Sequence, residues 1–345
     1  MMNRQQHIHA MRLLLFWGLL PVLVAACSAD VIEPMVEKPV AVTFTSDFAR
    51  VITRSTLDNE WSDATQIEVR CSEAGQDDKR FTYQYDASEN TWTAVSTAGK
   101  YYWPINDPSW VFSAWPTSYG SSPIMTKTVA ANQTVYDENS NPSGITEDIY
   151  EGYDLLYCPP TSATYRQPVT LNFLHQMARV KVIVNSSNTD TKDQVTSITF
   201  GDGHVGLEGH ITTQATTTAN ATWALGGSQN CTIQMRNRTT TAEAATNVYT
   251  FECMVPPQSY TTNNITNLLY ITTQYEDSGT QNRTYSFSGT YTFLSGNIYT
   301  YNLAISEEEK VTLLTVQVEP WADVENVNNT ATIPNSNPNA NVTEN

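Results

Sequence analysis

The chain has 345 residues, 40% of them hydrophobic, with 18 Lys+Arg against 35 Asp+Glu and a formal net charge of -17. Phosphate backbones repel so acidic a chain, which argues against a nucleic-acid partner. The charge favours solubility and says little about the fold.

The N-terminus carries Arg4, His7, His9 and Arg12, then the run LLLFWGLLPVLVAA from Leu13 to Ala26, and the first acidic residue is Asp30. A basic start and a short apolar core predict a signal peptide over residues 1–26. The run of 14 residues falls short of the roughly 20 that span a bilayer as a helix. Pro21 would also disturb a permanent helix. Val24-Ala25-Ala26-Cys27 has the form of a bacterial lipobox, so Cys27 is the candidate lipidation site. Acyl chains contribute about 0.8 kcal/mol per buried methylene, enough for two or three to hold a protein on a membrane. The alternative is an ordinary secreted protein cut near Ala26. Without Arg4 and Arg12 the basic count is 16 against 35, a net charge of -19. Residues 27–40, with Pro34 and Pro39, predict an extended lipidated tether.

The mature part reads as all-β. Phe81, Tyr83 and Tyr85 alternate with polar residues, as do Val169, Leu171 and Phe173, then Val180, Val182 and Val184. Tyr299, Tyr301, Leu303 and Ile305 form another such set, and Leu314, Val316 and Val318 the last. Alternation turns every second side chain to one face of a sheet. Turn formers at Asp86–Asn90, Asn141–Gly144 and Ser295–Asn297 separate the runs, the pattern of a sandwich or barrel. The segment CPPTSATYRQP, Cys158–Pro168, suggests a boundary between domains at 41–160 and 168–325. Residues 326–345, rich in Asn, predict an irregular polar tail.

Cys71, Cys158, Cys231 and Cys253 follow Cys27. An even number in a secreted chain permits disulfides, in three pairings. Cys231 and Cys253 lie on neighbouring predicted strands and form the candidate pair, with buried free thiols as the alternative. His175, His204 and His210 have no metal-binding spacing, the last two falling six apart in a Gly-rich loop. Neither GxSxG nor a Walker or GxGxxG loop occurs. Asp77-Asp78 and Glu147-Asp148 are adjacent pairs whose members on a strand would point to opposite faces. The sequence therefore predicts no enzyme, no cofactor and no metal. Tyr101-Tyr102-Trp103-Pro104, with Trp110, Phe112, Trp115 and Tyr119, is its densest aromatic cluster. Such rings fill a core, each burying roughly 150–250 Å². Exposed, they stack on sugars, which makes Trp103 and Trp115 the candidate ligand contacts.

Several ordered segments resemble the fimbrillin (Mfa-like) family of Bacteroidales surface lipoproteins, which includes the subunits of type V pili. These are Phe44, Thr53-Arg54 and Trp61; Tyr102-Trp103-Pro104 and Val111–Pro116; Asp154–Tyr157; Val169–His175 and Ala178-Arg179-Val180. Val255–Gln258, Gly296–Tyr301 and Val318–Trp321 complete the series. The resemblance implies two tandem transthyretin-like β-sandwich domains and a structural subunit, shaft, anchor or tip, of a surface fimbrium. It further implies an outer-membrane lipoprotein cut by a trypsin-like protease after an arginine near its start. Loss of the first strand then opens a groove that a strand of another subunit fills. In this chain Ala41–Phe44 fits the removed strand, Arg54 or Arg50 the cleavage point, and Leu313–Val318 either a donor strand or the last strand of its own domain. The contrasting expectation is a monomeric surface lipoprotein that binds glycan or host protein.

Overall fold

The computed structural model describes residues 39–48, 61, 65–72, 79–103, 110–119, 124–134, 153–186, 194–212, 222–261, 268–275, 279–285, 290–305 and 311–321. The first half of the chain supplies β1 Phe44–Phe48, β2 Gln66–Ser72, β3 Lys79–Asp86, β4 Thr91–Ala94, β5 Val111–Pro116, β6 Ile124–Thr128, β7 Leu156–Ser162 and β8 Val169–His175. There follow β9 Ala178–Ser186, β10 Gln194–Val205, β11 Glu208–Thr212, β12 Thr222–Gly226, β13 Cys231–Gln234, β14 Arg236–Asn237 and β15 Val248–Val255. The last six are β16 Gln258–Thr261, β17 Leu269–Tyr275, β18 Gly279–Tyr285, β19 Thr290–Phe293, β20 Asn297–Ile305 and β21 Val311–Pro320. Among the described residues one short α-helix, α1 Thr241–Ala244, starts from a capping box between Thr240 and Glu243.

The structure is all-β, with sandwich-like sheets, and the described residues from Ala41 onward form one compact unit. Seven strands close on themselves in the order β1-β4-β3-β2-β5-β7-β8, with β8 returning to β1 in parallel. Sheets β13-β10-β17-β18 and β14-β15-β9-β20-β21 pack around a second core, and β12-β11-β6 and β16-β19 are smaller additions. The first closed sheet runs past the expected boundary, and one strand crosses from the first half to the second. Strand β8, which the sequence assigns to the second domain, pairs with β1 and β7, and β6 pairs with β11.

Alternation explains most of the burial. Val180, Val182 and Val184 enter the second core with Tyr299, Tyr301, Leu303 and Ile305, while Val169, Leu171 and Phe173 enter the first. Strand β5 departs from this pattern because it is covered on both sides. Phe112 and Ala114 face the first core, and Trp115 enters a third core with Met177, Met254 and Trp321.

Two irregularities depart from the sequence reading. The Gly-rich stretch expected as a loop lies within β10, which bulges between Phe200 and Val205. There Gly201 has φ +98°, and a Cβ on it would meet Val205 Cγ2 at 1.9 Å, so only glycine fits. In β21 a bulge falls between the pairs Asn302↔Thr315 and Leu303↔Leu313. The extra residue is Leu314, 55% exposed, while Leu313, Val316 and Val318 pack against the core.

Candidate functional site

The first strand sits at the seam of the closed sheet. Its register with β8 runs from Phe44↔Val169 to Phe48↔Phe173, whereas among the described residues its register with β4 is Phe44↔Trp92 alone. The Val169 N–H donates to the Thr43 carbonyl at 2.9 Å, and the Val42 N–H to that of Tyr101 at 2.9 Å. Phe44 is wholly buried, its ring edge-on to Tyr83 at 4.9 Å and to Phe112 at 5.2 Å. Val42 is buried in the same core. The strand thus behaves as a plug, with backbone pairing mainly along one edge and an aromatic anchor in the core. Trp61 packs edge-on against Trp92 and Phe173 at 5.1 and 4.9 Å.

At the other end of the chain β21 is an edge strand paired with β20 alone in its sheet. Val311 at its start and Trp321 just beyond it are buried, and the residues between are exposed or half-buried. The Trp321 ring lies flat on His175, centroids 4.4 Å apart and planes 4° apart. Arg179 lies over the same indole, 5.8 Å from the ring centroid, a cation–π contact. The Trp321 N–H donates to the Gly296 carbonyl at 2.7 Å. Behind this slot His175 Nδ1 is 2.6 Å from Asp154 Oδ2, and Arg179 donates to Glu252 at 2.6 Å, all four residues being buried. Burial pushes the Lys127 ammonium below its ordinary value, while the neighbouring Asp154 charge acts in the opposite direction.

The slot was missed in the sequence because its residues are far apart there. Asp154, His175, Arg179 and Trp321 each stand in a segment quoted for the family resemblance, and that is the signal they carry.

The other sequence candidates fall as follows. Cys27, Arg50 and Arg54 lie outside the described residues, as do residues 1–26, most of the tether, the tail 326–345 and the pairs Asp77-Asp78 and Glu147-Asp148. Cys231 and Cys253 are free thiols on strands that do not pair: β13 joins β10, and β15 joins β9 and β14. The expected neighbouring strands are separated because β14 intervenes and the chain changes sheets. Trp103 and Trp115 are buried, so neither offers a face to a sugar. In that cluster Tyr101 and Trp103 point inward, and Tyr102 between them is exposed. His210 lies on β11 with Nδ1 2.9 Å from Thr126 Oγ1, its cross-strand partner, and Nε2 3.1 Å from Glu208. These are side-chain pairs of an exposed sheet face. Among the described residues no group of three His, Cys, Asp or Glu could hold a metal, and no helix is long and apolar enough to cross a membrane.

Comparison with known proteins agrees with this architecture. Among solved structures, a candidate cell adhesion protein of Bacteroides uniformis superposes with a TM-score of 0.53 at 14% identity, covering 83% of this chain and 99% of its own. One of Bacteroides ovatus gives 0.53 at 15%, covering 82% and 98%. At these identities they are similar in fold. No curated protein matches the chain. The family described as fimbrillin-like matches residues 53–321, well over half of the sequence. The chain belongs to the fimbrillin-like family.

Proposed function

We propose that the protein is a structural subunit of a cell-surface fimbrium, tethered by lipid on Cys27 and assembled by strand exchange after a cut at Arg50 or Arg54. The observation that carries this reading is β1. It lies before both arginines, pairs mainly with β8, and plugs the first core with Phe44. Trp61 lies beyond both arginines, so a cut at either one separates Phe44 from the body and leaves Trp61 attached to it. Loss of β1 would expose the backbone edge of β8 and a groove between Tyr83 and Phe112. A strand from another subunit would satisfy both, its backbone supplying affinity and its alternate side chains specificity. In this scheme the outer membrane is a station on the way to the fibre.

The test is an exchange assay on the full chain treated with an arginine-specific protease. A labelled peptide of residues 41–48 should bind the cut protein and not the uncut one. Replacing its Phe44 by Ala should weaken binding by at least about tenfold, since truncating a buried Phe costs about 3–5 kcal/mol. Equal capture by cut and uncut protein, or indifference to the Phe44→Ala change, would reject β1 as the exchanged strand.

A further inference from the structure

We propose that removal of β1 and release of β21 are coupled through β8, with Trp321 as the latch. This inference rests on the strand-exchange reading and adds its regulation. Two facts meet on one strand. Residues 169–173 of β8 form the parallel partner of β1, and His175, the last residue of β8, is the platform on which the Trp321 ring lies. Strand β8 therefore holds the plug by its backbone and the latch by its end.

Strand β21 is built to depend on that latch. It has one strand neighbour in its sheet, a bulge at Leu314, and mostly exposed or half-buried side chains between Val311 and Trp321. Buried aromatic area at its end offsets the ordering cost of a strand that buries little along its length. Beyond β8, the slot is completed by Arg179 at the start of β9 and by Gly296 in the β19–β20 turn. On the other side of β8, β7 pairs with it at Leu156↔His175 and Tyr157↔Leu174. When β1 leaves, β8 loses its neighbour on one edge over residues 169–173, and the end that carries His175 is then held from the β7 side. Loosening there frees the indole, and with it a strand able to reach another molecule. A subunit would thus expose its acceptor groove and its C-terminal strand in one event, and the uncut precursor would keep both closed.

Hydrogen exchange on the full chain tests this, reading residues 311–320 with 194–200 of β10, which lies in a different sheet, as the internal reference. Trp321→Ala should speed exchange over 311–320 by roughly tenfold or more and leave the reference within about twofold. Phe44→Ala should loosen 169–173 and 311–320 together. A chain with a site-specific protease sequence inserted after Phe48, cut and separated from the released peptide, should do the same with an unaltered core. Exchange over 311–320 that stays at the wild-type rate in Trp321→Ala overturns the latch. Loosening of 169–173 without loosening of 311–320, in Phe44→Ala or in the cut chain, overturns the coupling. None of these readouts requires polymer. A chain that shows the coupled loosening and never assembles would refute strand exchange and leave the coupling standing.

Discussion

Cys158 shows how the interior governs single groups. Burial is the main cause that pushes its thiol up to about 12, against an ordinary 9.0, and hydrogen bonds to it act only partly in the other direction. A group that holds its proton more tightly in the folded state adds stability that is complete below its unfolded value. That contribution is lost as pH rises from about 9 toward 12. Cys253 is likewise raised by burial and then by the nearby Glu252 charge. Thiol alkylation of the native protein at pH 8 should therefore label the half-buried Cys231 and spare Cys71, Cys158 and Cys253 until denaturant is added. Mass spectrometry of the labelled peptides checks this, and native labelling of Cys158 would contradict its burial. The Arg179–Glu252 pair makes a second prediction. Arg179→Met should cost about 3–5 kcal/mol by denaturant unfolding, because Glu252 would keep a buried charge without its main partner. Neither pair nor slot was legible from spacing, since Arg179 and Glu252 are joined only by the β9–β15 register.

At the scale of elements, period-two patterning placed β3, β8, β9 and β20, because an alternating run reports its own buried face. It failed where the chain adds a residue. Leu314, Val316 and Val318 alternate in sequence, yet the bulge moves Leu313 into the packed set and Leu314 out of it. The consequence is an asymmetry between neighbours. Leu313→Asn should destabilise β21 by more than about 1 kcal/mol, and Leu314→Asn should stay within about 0.5 kcal/mol. Equal effects in chemical denaturation would argue against the bulge. The Gly-rich stretch in β10 misled for the same reason, since glycine marks a strand bulge as readily as a loop. The turn before β20 was legible as Ser295-Gly296-Asn297. Gly296 has φ +67°, and a Cβ there would come 2.9 Å from the His175 carbonyl oxygen, so Gly296→Ala should disturb the Trp321 slot as well as the turn.

At the scale of the whole molecule, the all-β class followed from composition and alternation, and the family resemblance from ordered short segments. The joining of the halves did not, because it depends on pairings across long stretches of chain. Segment 124–134 passes from the first half into the second. Its β6 pairs with β11, and the Gln133 side chain donates to the Met254 carbonyl and accepts from the Met254 N–H, both at 2.8 Å, like a strand neighbour on β15. Gln133→Ala should leave those buried backbone groups unpaired and cost roughly 1–3 kcal/mol. The central claim concerns β1, and the measurement that tests it most directly is mass spectrometry of the N-terminus of this subunit in isolated surface fibres. Strand exchange predicts polymeric subunits that begin after Arg50 or Arg54 and lack Phe44. Fibres built from chains that retain lipidated Cys27 and an intact β1 would contradict it.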